Sequence, residues 1–240
     1  MQTLVIVLIG VVAVLYASVG HGGASGYLAI MALFNLDPAM ARPTALLLNL
    51  FVAGFAFYAF FKKGYFKISF ALPFLYGSVP AAFIGGLIQL ESGIYRILLG
   101  SFLLVATLRM IFNPVRSEKE VLVPIFLRVT IGAAIGLMSG MLGIGGGIIL
   151  SPVILLLGLS GLKQTAATSA VFIWVNSAAA FFGFSISGIS LSADSLLAVL
   201  AASLGGAIGG YLGSFKFDTV ILRRLLALVL MLASFKLIFI

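Results

Sequence analysis

Cysteine is absent from this chain of 240 residues, charged residues make up only 8%, and histidine occurs once. Without cysteine there are no disulfides, no thiolate catalysis and no cysteine-held metal, and the redox compartment goes unmarked. So little charge excludes an ordinary water-soluble domain, in which roughly a quarter of the residues are charged. In place of charge stand 62% hydrophobic residues and a mean hydropathy of +1.28. Long apolar stretches are separated by a few polar residues each, and about 20 such residues in an α-helix cross roughly 30 Å of hydrocarbon. The expected fold is all-α, a polytopic helical membrane protein.

The formal net charge is +8. Its basic residues sit in short loops between apolar segments, form no stripe and match no RNA-binding motif, so nucleic acid is not an expected partner. No ATP-binding motif is present and no cofactor or metal is implied. Residues 1–3 lack the positive start of a secretory signal, so 4–19 reads as a retained membrane segment.

Cutting at glycine, proline and charged clusters leaves ten apolar segments, near residues 4–19, 24–35, 44–61, 67–88, 95–112, 125–142, 147–158, 165–184, 193–213 and 220–239. The one hydrophilic connection of any length, 113–124, carries Arg116, Glu118, Lys119 and Glu120 and divides the chain into repeats over 1–112 and 125–240. Sliding one half over the other at an offset of 123 places Gly20-His21-Gly22-Gly23 on Gly143-Ile144-Gly145-Gly146. At 124, Thr44 meets Thr168, Gly64 meets Gly188, and Gly85-Gly86 meets Gly209-Gly210; at 127, Arg96 meets Arg223 and Arg109 meets Lys236. Duplication with small loop insertions leaves such a drift.

Segments 24–35 and 147–158 hold 12 residues each. As helices they cover about 18 Å, too little to span. If each long-plus-short pair returns to the side it entered from, eleven of the 14 Lys and Arg residues share one face, leaving Arg42, Arg96 and Lys236 on the other. If each pair crosses once, the split falls to eight against six. The positive-inside rule favours the returning pair, makes the crowded face cytoplasmic, and puts both termini on the non-cytoplasmic side of the cell (inner) membrane. Five segments per half is an odd number, so the second half inserts upside down. The expected architecture is two inverted five-segment repeats, each with a glycine-rich re-entrant or broken helix pair, as in secondary transporters.

Backbone groups cannot stay unpaired in hydrocarbon, so a glycine-rich break at membrane depth must be buried in protein or line a wet cavity. Two breaks are present, at Gly20-His21-Gly22-Gly23-Ala24 and Gly143-Ile144-Gly145-Gly146-Gly147. Each opens a short helix whose free N–H groups and positive dipole end suit an anion. With the halves inverted, the two helix starts face one another and form the expected substrate-binding site. Ser25, Thr44, Asn49, Thr168, Ser169 and Asn176 are buried by segment position and are candidate donors to an oxyanion; the alternative is that they only bond between helices. His21 could donate to an anion or carry a coupled proton. Gly85-Gly86, Gly205-Gly206 and Gly209-Gly210 lie inside full spans and read as helix-packing glycines. Arg42 and Arg96, near the ends of their spans, are expected to snorkel to the interface.

Gly143-Ile144-Gly145-Gly146-Gly147, followed by Pro152 and Ile154, resembles the G-x-G-G-G-x4-P-x-[apolar] signature of the TauE/SafE family of sulfite and organosulfonate exporters. The likeness covers both halves and includes the Thr168-Ser169 pair. The first copy departs from it, with Ala24 for the third glycine and Ala29 for the proline. The resemblance implies a membrane carrier of small sulfur-containing anions, such as sulfite, thiosulfate or an organosulfonate; the inverted repeat adds the expectation of alternating access around a midplane site. Its partners would be that anion, the lipid bilayer, and a coupling proton or sodium ion unless the anion's own gradient drives it.

Two other functions compete. A non-transporting membrane subunit would leave the symmetric breaks without a purpose. Gly23-Ala24-Ser25-Gly26 fits the G-x-S-G motif of rhomboid-type intramembrane serine proteases, whose serine needs a histidine from another helix, and no histidine follows residue 21. Ser25→Ala separates the readings: a protease would lose all cleavage of a reporter span, whereas a carrier should keep part of its anion flux in proteoliposomes.

Overall fold

The computed structural model describes residues 3–18, 20–112, 123–186, 193–213, 230–232 and 234–239. These form helices joined by short turns, with no strand among them. In chain order the helices are α1 (Thr3–Ser18), α2 (Ala24–Leu33), α3 (Pro38–Lys62), α4 (Ile68–Leu87), α5 (Ser92–Phe112), α6 (Ile125–Leu142), α7 (Gly147–Leu156), α8 (Leu162–Ile186) and α9 (Ala193–Gly213). A further apolar helical stretch covers Leu230–Phe239. Four helices, α3, α4, α6 and α8, are long and apolar enough to cross a membrane. Large apolar side chains face outward along the bundle, among them Phe126, Ile186, Leu204 and Tyr211, as a lipid-facing surface requires.

The short helices α2 and α7 each have 10 residues. Each covers about 15 Å and cannot span alone. Most of the linker expected over 113–124 lies outside the described residues, as do Gly188, Lys216, Arg223 and Arg224.

One boundary corrects the sequence reading. Cutting at Pro43 started the third segment at residue 44, but α3 begins at Pro38 and runs through Pro43. Asp37 caps it, accepting from the Ala39 N–H at 2.9 Å, and Pro38 stands at N1, where a missing N–H costs nothing. Pro43 is buried, so packing holds the helix through a residue that would break it in isolation.

The packing comes in matched sets. The pairing of α1 with α9 has its counterpart in α6 with α4, and α3 with α9 in α8 with α4, while α3 and α8 meet each other. Glycines make these approaches possible. A Cβ added at Gly132, Gly136 or Gly140 of α6 would strike the carbonyl oxygen of Phe74, Ser78 or Ala82 on α4. Gly205 and Gly209 of α9 stand in the same way against Gly10 and Val14 of α1. Gly85 lies against Leu137, Gly86 against Ala180 and Gly206 against Val52, so these glycines pack helices, as expected from their place inside long segments.

Backbone cannot move aside as a flexible side chain can. Gly136→Val should therefore destabilise the bundle by about 1–3 kcal/mol or more through overpacking. Gly93→Ala, with nothing within 4 Å of the added Cβ, should leave stability unchanged or slightly raised. Thermal midpoints of the two purified variants in detergent check the pair.

Candidate functional site: the meeting of two helix breaks

Both breaks are buried in protein. Helix α2 starts after Gly23, at φ +94°, and α7 after Gly146, at φ +78°; both are left-handed, where a side chain would be strained. Neither helix start carries a side-chain cap at its N-cap residue. The first-turn N–H groups of both helices therefore look into the break rather than toward a local serine or aspartate.

The breaks come together on Asn49, on the inner face of α3. Its Oδ1 accepts from the Ala24 N–H at 3.1 Å, the first residue of α2. Its Nδ2 donates to Ser177 Oγ at 3.2 Å and to the Ile144 carbonyl at 3.5 Å, within the second break. One side chain thus bonds both. A Cβ on Gly22 would stand 2.6 Å from Asn49 Oδ1 and 2.8 Å from Ile173 Cγ2. A Cβ on Gly145 would meet Asn49 Nδ2 at 2.7 Å and the same Ile173 methyl at 3.0 Å. At the offset of 124, Asn49 and Ile173 are counterparts on α3 and α8, so each break touches the central residue of both halves.

This geometry also accounts for Ala24 standing where the second break has Gly147. A Cβ at 147 would collide with Ile173 Cδ1. The counterpart of that isoleucine in the first half is Asn49, whose amide bonds the Ala24 backbone, and the alanine methyl is accommodated.

His21 is half-buried and reaches the other repeat, with Nε2 at 3.2 Å from Ser151 Oγ on α7. Ser151 donates in turn to Ser169 Oγ at 2.7 Å. The buried Thr168 hydroxyl and Asn176 Oδ1 have no hydrogen-bond partner among the described residues, while Asn176 Nδ2 is held by the Phe172 carbonyl at 2.8 Å. Thr44 points elsewhere: it donates to Met40 O at 2.7 Å and bonds Ser195 Oγ of α9 at 3.2 Å. Ser25 bonds the Tyr16 hydroxyl at 2.9 Å, an arrangement that lends the protease alternative no support. Sequence reasoning missed Ser151, Ile173 and Ser177. Ser151 sits in the x4 stretch before Pro152, and Ser177 follows Asn176, so only chain position could have signalled either.

Two cavities are lined by residues that neighbour the breaks. One of about 260 Å³ is lined by Ala17, Phe60, Lys63, Tyr65 and Lys163. Phe60 also packs on Gly20, so this cavity abuts the first break. Lys163 donates to the Tyr65 hydroxyl at 3.1 Å, and that bond, with the charges of Lys163 and Lys63, holds the exposed phenol below its ordinary pKa. The second cavity, about 310 Å³, is lined by Asp37, Ala41, Tyr95, Arg96 and Lys236. Tyr95 donates to the Leu142 carbonyl at 3.5 Å, next to Gly143, so this cavity abuts the second break.

Arg42 corrects the expectation that it snorkels. It is only 4% exposed, donates through Nη2 to the Ile88 carbonyl at 3.1 Å, and lies over the rings of Phe184 and Tyr95 at 4.4 and 5.3 Å. Snorkelling fails because α3 starts at Pro38, which sets Arg42 inside the helix, and because the carbonyl of Ile88, the C-cap of α4, needs a donor. Arg96 is exposed and lines the second cavity.

The family profile described as sulfite exporter TauE/SafE matches residues 5–237. The chain is 37% identical over 232 residues to the "Probable membrane transporter protein y4hK" of Sinorhizobium fredii (strain NBRC 101917 / NGR234), covering 95% of this chain and 94% of that one. It is 24% identical over 226 residues to the "Probable membrane transporter protein YunE" of Bacillus subtilis (strain 168), covering 85% and 82%. No solved structure matches. A match running from the first helix nearly to the last, on an all-helical bundle with apolar outer faces, makes this chain a member of the TauE/SafE family of membrane transporters.

Proposed function

We propose that the protein is a secondary carrier of a small sulfur-containing anion, of the sulfite, thiosulfate or organosulfonate class, with its binding site where the two breaks meet. The observation that carries this reading is the double attachment of Asn49, to the Ala24 N–H and to the Ile144 carbonyl. The residues of the site are Gly22, Gly23 and Ala24 on one side and Ile144, Gly145, Gly146 and Gly147 on the other. An oxyanion accepts hydrogen bonds and donates none, so it competes for the same groups that Asn49 Oδ1 now holds. The amide oxygen stands at the start of α2, where it takes the N–H that an anion would take. With an anion present, the first-turn N–H groups of α2 and α7 and the Asn49 Nδ2 would all point to it, and the two helix dipoles add in its favour.

The two repeats are read as inverted, with α1–α2 and α6–α7 as re-entrant pairs and both termini on the non-cytoplasmic side. The matched pairings of helices support the repeat, and the unequal distribution of Lys and Arg supports the orientation. Two cavities, each beside one break, support a reading of alternating access around buried Asn49. Rocking one repeat against the other would open the site to one cavity at a time, breaking the His21–Ser151 bond that joins the repeats. A gradient of protons or sodium, or of the anion itself, supplies the energy.

Sulfite, thiosulfate and an organosulfonate should each be tested for thermal stabilisation of the purified protein, with chloride as control, and then for flux in proteoliposomes. A transported anion at a hundred times its Kd should add about 2.7 kcal/mol to stability. Stabilisation by organic cations alone would contradict the reading. Gly145→Leu and Gly146→Leu should each abolish flux while leaving protein in the membrane, because a side chain there fills the space against Asn49 and Ile173 or Phe172. Full flux in both would remove the site from this place.

A further inference from the structure

Arg42 is a buried cation inside α3, a helix long and apolar enough to span, with no ion pair among the described residues. Its Nε is buried and has no hydrogen-bond partner among the described residues, and its Nη2 donates to a neutral carbonyl. The faces of Tyr95 and Phe184 supply only quadrupole attraction. A buried guanidinium left in this state is costly, and in membrane proteins such residues face the bundle interior or a solute pathway. What is missing is a negative charge.

Its position says where that charge comes from. Arg42 and Asn49 are seven residues apart on α3, which puts them on one face about 10 Å apart along the axis. Gly143, the first residue of the second break, lies against Arg42, with a notional Cβ 3.1 Å from the Arg42 Cα. On its other side Tyr95 joins three features: its ring faces Arg42, its hydroxyl bonds Leu142 O, and it lines the 310 Å³ cavity. That cavity also holds Arg96 and Lys236. Its carboxylate, Asp37, is engaged as the N-cap of α3. Lys236 is turned to the Leu33 carbonyl at 2.7 Å, leaving a predominantly basic lining.

We propose that Arg42 is a second anion-binding station, between the breaks and this cavity, which takes a sulfur oxyanion on its guanidinium fork in exchange for Ile88 and the two rings. The proposal rests on the anion-carrier reading. A guanidinium presents parallel N–H donors that match two oxygens of a tetrahedral or pyramidal oxyanion, a geometry lysine cannot reproduce. The ring contacts and the Ile88 bond hold the fork beside Gly143, and an anion would draw it away from them.

The test uses the full chain in detergent with thiosulfate and sulfite as probes. Wild type is measured first: no response to any sulfur oxyanion overturns the carrier reading, and this proposal with it. Where wild type responds, Arg42→Gln should weaken the apparent Kd by about tenfold or more and Arg42→Lys by less. An unchanged Kd in Arg42→Gln, with wild-type binding intact, overturns the Arg42 station alone. A purely structural arginine would lower the anion-free thermal midpoint and leave the anion-induced rise as it was, which also counts against the proposal. Should the glutamine variant fail to fold, arginine side-chain NMR of the wild type decides. The Nε–H signal removed by Arg42→Lys should shift on adding thiosulfate, and a signal that stays in place refutes the station.

Discussion

A helix that starts or stops inside packed protein leaves backbone donors and acceptors with no water to turn to, and α2 and α7 each start at such a buried break. The Asn49 amide resolves part of that demand, because one end accepts and the other donates. Its oxygen takes the first N–H of α2, and its nitrogen reaches the Ile144 carbonyl in the opposite break. Helix ends facing the other way are met by long polar side chains: Arg42 at the end of α4, Tyr95 at the end of α6, and Lys236 at the end of α2. Carbonyl ends are thus served by cations and a phenol, while the N–H end of α2 is served by a neutral amide. On the proposed reading, the helix starts at the breaks favour a negative charge there.

Close backbone approach makes that centre possible. The glycines of α6 bring α4 near enough for their backbones to touch, and Gly205 and Gly209 do the same for α9 on α1. These contacts fix the outer helices on either side of α3 and α8, where Asn49 and Ile173 face the two breaks. The asymmetry between an asparagine and an isoleucine at matched positions has a chemical consequence. One half supplies the polar group, and the other supplies an apolar wall that leaves room only for glycine at 147.

Much of this was legible in the residues. Glycine clusters and short apolar segments located both breaks and the starts of α2 and α7 to the residue, since Gly23 and Gly146 adopt backbone angles other residues avoid. The packing role of Gly85, Gly86, Gly205, Gly206 and Gly209 followed from their place inside long segments. Asn49 was named only as one of several buried polar residues; its double attachment depends on the crossing of α3 between breaks 95 residues apart from it at the farther bond. Thr44 had the same credentials and is committed to Met40 and Ser195 instead. Arg42 was misjudged because its depth depends on where α3 begins, and Pro43 concealed that start. Ser177 and Ser151 carried no local signal at all, since a serine in a membrane helix is usually an ordinary interhelical donor.

Membership of the TauE/SafE family places the chain among membrane transporters, and the breaks give a physical reason why an anion would be held in such a bundle. The most direct measurement is a crystal structure of the protein with selenite, collected at the selenium absorption edge. The chain's own sulfur, in its 7 methionines, gives no signal there that could be mistaken for the ligand. The expected result is a selenium peak within hydrogen-bonding reach of the Ala24 N–H and the backbone of 144–147, beside Asn49. Breaks packed closed and empty while selenium binds elsewhere, or residues 22 and 145 lying apart with no shared neighbour, would contradict it.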